Sequence, residues 1–184
     1  MNRMGRLLVA AALVLLTAAC VGSVDREEFE AEIRERGGGI SQGLPIEAVA
    51  ALEHELGVDE LVVLSMTISN EHVVAQVQSP EFPDEFDSYT YRGDEVSEPD
   101  PVSNPGGGES PEDAAFNPRD IELDQLDDMV DQAIEEADLR DGYAETVTIS
   151  QAGRQAPVIT VSVTNERQTA SVQFGPDGSL IGVQ

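Results

Sequence analysis

Lysine and tryptophan are absent from this chain of 184 residues, and cysteine occurs once, at Cys20. A lone cysteine excludes any disulfide within the chain, so stability has to come from burial. Aromatic residues make up 4% of the sequence, which predicts a modest, mainly aliphatic core. Positive charge is scarce too: ten arginines stand against 36 acids, for a formal net charge of -26. Nucleic acid is the partner this balance excludes most strongly, because phosphate binding needs a cationic surface. The acidity serves solubility first, and it suits cations or a basic protein better than any anion.

What is present begins with the apolar run Leu7 to Ala19, which follows Arg3 and Arg6 and ends in Leu16-Thr17-Ala18-Ala19-Cys20. A positive start, an apolar middle and small residues at a cleavage point make a secretory signal. As a helix the run spans about 20 Å at roughly 1.5 Å per residue, too short for a bilayer core of about 30 Å. Leu16 to Cys20 resembles the lipobox of bacterial lipoproteins, with Thr17 where leucine is commonest and Leu16 one place early. That resemblance implies cleavage by signal peptidase II before Cys20 and a diacylglycerol on its thiol. The alternative is an ordinary signal peptide cut after an Ala-x-Ala-like site, with Cys20 a spare thiol.

Two palmitate-like chains, at about 0.8 kcal/mol per buried methylene, would hold the protein permanently on the extracytoplasmic face of the cell membrane. Losing Arg3 and Arg6 with the signal moves the formal charge from -26 to -28. An anionic leaflet repels such a body within a screening length of about 8 Å. Arginine without lysine also matches the codon bias of a GC-rich bacterial genome, such as an actinobacterium's.

Val24 to Arg36 reads as a helix with Phe29 and Ile33 on one face, stopped by Gly37-Gly38-Gly39. Pro45 to Leu56 reads as a second, with Ile46, Val49, Leu52 and Leu56 at helical spacing and Gly57 beyond its end. The period then changes to two. Val62, Leu64, Met66 and Ile68 alternate over Leu61 to Ser69, Val73, Ala75 and Val77 follow, then Tyr89 and Tyr91, and a strand near Val96. Glu98 to Asp113 is Pro, Gly, Ser and acid, the composition of a linker. The order then repeats: a helix over Asp120 to Leu139 closed by Asp141-Gly142, and strands at Glu145 to Ser150, Val158 to Thr164, Thr169 to Phe174 and Ser179 to Val183. Thr67-Ile68-Ser69 matches Thr148-Ile149-Ser150, and Ser88-Tyr89-Thr90-Tyr91 is shadowed by Ser171-Val172-Gln173-Phe174.

The predicted fold class is α+β: two tandem repeats of a helix followed by an antiparallel meander, the helices packed on one face of the sheet. The divisions are a signal peptide (1–19), a lipid anchor with helix or stalk (20–43), a first αβββ unit (44–98), a flexible linker (99–116) and a second unit (117–184). This order of elements is similar to PepSY-type domains of secreted and lipid-anchored bacterial proteins. The resemblance implies a non-catalytic extracytoplasmic module that binds or restrains other proteins, and it transfers no functional residue.

Chemistry is thin in the sequence. His54 and His72 are the two histidines, and neither HExxH nor GxSxG occurs. Asp124, Asp127, Asp128 and Asp131 recur at helical spacing, a solvated face or a weak calcium site without the EF-hand order. Arg92-Gly93-Asp94 spells an adhesion tripeptide that turn chemistry explains. The residues therefore predict no enzyme, no cofactor and no resident metal. They predict a lipid-anchored, protein-binding or regulatory module facing an unidentified envelope protein. A carrier of a small or lipidic ligand in a cavity between helix and sheet is the alternative.

Overall fold

Pro45 sits in the first turn of helix α1 (Gly43–Leu56), where its missing N–H leaves no bond unmade, and Gly57 closes the helix at φ 66°. The computed structural model describes residues 37–103, 105 and 110–184. All of them belong to one compact unit, Glu32–Gln184. The signal segment, Cys20, the predicted Val24 to Arg36 helix and Gly106 to Gly108 lie outside the described residues.

Among the described residues there are nine strands, the longer ones from the alternating, largely β-branched stretches: β1 (Val63–Ile68), β2 (Val73–Gln78), β3 (Phe86–Arg92), β4 (Glu95–Val96), β5 (Asp100–Pro101), β6 (Tyr143–Ser150), β7 (Val158–Thr164), β8 (Thr169–Phe174) and β9 (Leu180–Val183). They make one open antiparallel sheet in the order β4-β3-β2-β1-β6-β7-β8-β9, with β5 beside β3. The two halves of the chain thus share a sheet, joined where β1 pairs β6 through Met66 and Ile149, Thr67 and Thr148, and Ile68 and Val147. A one-turn helix α2 (Pro111–Ala114) precedes β6, as does helix α3 (Leu126–Ala137). α1 lies over β2 to β4 and α3 over β6 to β8. Leu52, Met66, Ile68, Leu126, Ile149 and Phe174 belong to one continuous core between these helices and the sheet.

Several expectations need correcting. The helix predicted over 120–139 is α only from Leu126 to Ala137; 3-10 turns at Pro118–Asp120 and Leu123–Gln125 precede it. Glu122 donates its N–H to the Pro176 carbonyl at 2.9 Å, which draws this entry toward the β8–β9 turn and out of helical pairing. The C-terminus comes at Asp138, in the left-handed region at φ 48°, ahead of Asp141-Gly142. In β1 a bulge between Val63 and Ser65 breaks the alternation. Val63 therefore joins Met66 and Ile68 in the main core, Leu64 joins Phe86 and Ala114 in a second cluster, and Val62 is exposed. On α1 the buried stripe is Pro45, Ala48, Val49 and Leu52, leaving Ile46 exposed.

Both flanks of the stretch read as a flexible linker are docked. Residues 95–102 run along β3 as a broken edge: Ser97 donates to the Thr90 carbonyl and Val102 to that of Phe86, each at 2.9 Å. On the other flank, the Gln151 amide donates to the carbonyls of Asp113 (2.9 Å) and Ala115 (3.3 Å). Gly37–Gly39 forms a tight 3-10 turn wedged between α3 and β6. Gly38 has φ +71°, and a Cβ there would overlap the Ala144 carbonyl oxygen.

Candidate functional site

Cys20 lies outside the described residues, and among those described no helix is long and apolar enough to cross a membrane. His54 is exposed in the last turn of α1. His72 is held at the β1–β2 turn: its Nδ1 is 2.9 Å from Ser69 Oγ and accepts from Arg92 Nη2 at 3.1 Å. Ser69 Oγ also accepts the N–H groups of Glu71 (3.3 Å) and His72 (3.2 Å), so the serine, which the sequence did not single out, ties the turn together. Gly93 and Asp94 both have positive φ, as a type I′ hairpin requires, and Asp94 accepts the Tyr91 hydroxyl at 3.2 Å. Burial, then this hydrogen bond, holds the Tyr91 phenol above its ordinary pKa.

The four candidate calcium aspartates are not gathered. Asp124 lines a surface cleft, Asp127 accepts the Gln42 N–H at 2.8 Å, and Asp128 and Asp131 are exposed. Among the described residues no group of three or more His, Cys, Asp or Glu is placed to hold a metal ion.

Apart from a polar cleft lined by Arg140, Asp141, Asn165, Glu166 and Arg167, three surfaces stand out among the described residues. The first is an open apolar cleft of about 350 Å³ between α1 and the segment leading into α3, lined by Ile46, Val49, Ala50, Pro118, Ile121 and Leu123. Its rim carries a bidentate ion pair: Arg119 Nε donates to Glu53 Oε1 at 2.9 Å and Nη2 to Oε2 at 2.7 Å. That contact holds the Arg119 guanidinium above its ordinary pKa. The helical spacing placed Ile46 in the core; it is 44% exposed because the entry to α3 packs beside it, not over it.

The second is the face of the sheet opposite α1 and α3. A single row of paired residues crosses six strands: Thr90, Val74, Thr67, Thr148, Thr160 and Gln173. Flanking rows add Ser65, Gln76, Ser88, Thr146, Ser162 and Ser171. Among the described residues the centre of this face has no titratable group; His72, Arg92, Glu95 and Asp100 stand at its margin. Alternation along the later strands assigns Thr146, Thr148, Thr160, Ser162, Thr164, Ser171 and Gln173 to the water-facing side and Val147, Ile149, Val161 and Val172 to the helix-facing side; the first set is half-buried and the second buried.

The third is the β9 edge, where Leu180, Ile181 and Val183 are 38%, 58% and 46% exposed. In the turn before it, the Ser179 hydroxyl and N–H donate to Asp177 at 2.6 and 3.1 Å and hold its carboxyl below the usual range.

No family model matches the chain, and no curated protein matches it in sequence. Among solved structures it is similar to the crystal structure of a "putative lipoprotein" from Clostridium difficile 630, with a TM-score of 0.51 at 8% identity, over 77% of this chain and 91% of that one. At that identity the likeness shows a shared fold.

Proposed function

We propose that the protein is a lipid-anchored module on the extracytoplasmic face of the cytoplasmic membrane that binds another envelope protein without catalysing a reaction. The observation that carries this reading is the half-buried sheet face of threonine, serine and glutamine, which α2 covers only at its Leu64–Phe86 corner and which has no acid, base or metal ligand at its centre. Such a surface offers directional contacts, and a partner that fails to match its donors and acceptors bears their desolvation cost. The lipobox-like segment supports the anchor, and the fold likeness to the Clostridium difficile protein is consistent with it.

An ancient duplication of a PepSY-like helix-and-meander unit belongs to the same reading. Thr67 opposite Thr148 supports it, because the sequence match aligns those same residues. Counting outward from that pair, the ladders bring Thr90 and Gln173 to equivalent places, and the second sequence match aligns them too.

Two experiments test the proposal. Metabolic labelling with palmitate should mark the protein, and Cys20→Ser should abolish the label and release the protein from the membrane. A photoreactive residue at Thr148 or Thr160 should crosslink one envelope protein in native membranes. An unlabelled protein whose Cys20→Ser form stays in place defeats the anchor; an absence of any adduct from the sheet face and both edges defeats the binding role.

A further inference from the structure

The two ends of the sheet are built differently. On the β4–β5 side the edge is broken into two-residue strands and carries Pro99, Pro101 and the acids Glu95, Glu98 and Asp100. Prolines, charges and short strands are the devices that stop an edge from pairing with another chain. On the β9 side those devices are missing: Leu180–Val183 contains no charge and no proline. Gln184 exchanges both backbone bonds with Ser171, at 3.1 and 2.8 Å. By the alternation of an antiparallel ladder, Val183 then turns its N–H and C=O away from β8.

The side chains repeat this asymmetry. Leu180 and Val183 oppose Phe174 and Val172, so they lie on the core-facing side of the sheet. Phe174 and Val172 are fully buried, whereas Leu180 and Val183 remain substantially exposed. The apolar layer thus runs one strand further than the helix that covers it.

Charge identifies what fits there. Gly178, in the turn before β9, faces Gln125, just ahead of α3, and Met129 in its first turn: a Cβ at Gly178 would come within 3.1 and 3.4 Å of them. Glu122, whose N–H bonds the Pro176 carbonyl, and Asp177 therefore flank the turn that opens β9, both of them exposed, on a chain of formal charge -26. A second copy would bring the same acids against one another. Toward the far end of β9, at the β7–β8 turn, Arg140 and Arg167 share a cleft with Asp141 and Glu166, so the acid excess lies at the start of the strand.

We infer that β9 is a docking edge for an extended, basic segment of a partner protein, which adds a tenth strand with apolar residues over Leu180 and Val183 and cationic residues toward the acids at the turn. This inference rests on the protein-binding reading above and specifies its edge and its chemistry. Backbone bonds supply affinity in such strand addition, and alternate side chains supply specificity.

The test uses the full-length protein in detergent and a synthetic octapeptide alternating valine with lysine. A peptide of the same composition with its lysines and valines in separate blocks is the control. The alternating peptide should bind at least tenfold more tightly than the control and weaken as salt rises. Val183→Pro, which removes an outward N–H that an edge strand can spare, should cut binding at least tenfold, and so should Ile181→Lys. On the unmodified protein the peptide should slow amide exchange at Val183. Equal binding by folded variants, no protection at Val183, or a dimer that Val183→Pro breaks apart would each overturn the inference. If the edge fails while Thr148 or Thr160 still crosslinks a partner, the docking edge is wrong and the module reading stands.

Discussion

Thr67 of β1 stands opposite Thr148 of β6, and at that pair the two halves of the chain become one sheet. Four residue pairs make the seam, from Ser65 with Ser150 to Ile68 with Val147, and the core beneath it is continuous. A small αβ unit alone buries too little to be robust. Cutting the chain at an introduced protease site near Gly107 should therefore leave two pieces that co-elute and melt in a single transition. Two separate transitions would show that the halves fold independently.

Gly38 and Gly57 separate backbone conformation from packing. Both have positive φ, +71° and +66°, but a Cβ at Gly57 meets nothing within 4 Å while one at Gly38 overlaps the Ala144 carbonyl. Gly57→Ala should cost about 1–2 kcal/mol, the left-handed penalty alone. Gly38→Ala should cost a further 1–3 kcal/mol, roughly the penalty of overpacking. Urea midpoints measure both, and equal losses would mean that the glycine turn yields without strain.

The Glu53–Arg119 pair joins α1 to the entry of α3. Glu53 is largely covered, its side chain 13% exposed, while that of Arg119 is 56% exposed. Exposure at one partner keeps the contribution small, so Arg119→Ala should lower the urea midpoint slightly, and by less in a Glu53→Gln background. Arg119→Lys should recover little of it, because an ammonium cannot reproduce the two-pronged geometry. Full recovery by lysine would reduce the pair to a point-charge contact.

Tyr91 makes stability sensitive to alkali. Burial first, then the hydrogen bond to Asp94, favours its protonated form in the folded state, above an ordinary value of about 10. A raised folded-state pKa contributes stability that is complete below pH 10 or so and is lost as pH climbs through the folded value. Melting temperatures between pH 8 and 11.5 should fall for the native protein and fall less for Tyr91→Phe. Identical alkaline limbs would assign the loss to other groups.

Because Asp124, Asp127, Asp128 and Asp131 are not gathered into one site, calcium should raise the melting temperature no more than magnesium at equal concentration. A calcium-specific rise would require the four carboxylates to converge in solution.

Much of the fold was legible because it follows from local rules. Val158–Thr164 and Thr169–Phe174 are strands with the bounds their alternation predicts, and the Val147, Ile149, Val161 and Val172 face is buried as expected. The errors fall where a local pattern met a distant contact. The alternation of Val62 and Leu64 carries no sign of the bulge that sends Val63 inward. Ile46 shares a helical stripe with Leu52, yet what decides its exposure is how a segment seventy residues later packs beside it. The cleft and the exposure of the β9 edge were both invisible for that reason.

From the residues alone came the acidic surface, the exclusion of disulfides, the two helix-then-strands blocks and the division of the later strands into polar and apolar sides. Each depends on side-chain type at a spacing of two or of three to four. Which strand lies beside which, that the blocks share one sheet, and which edge stays open were decided only by tertiary pairing. Backbone hydrogen bonds between strands are chemically alike, so their partners are chosen by the packing of the whole.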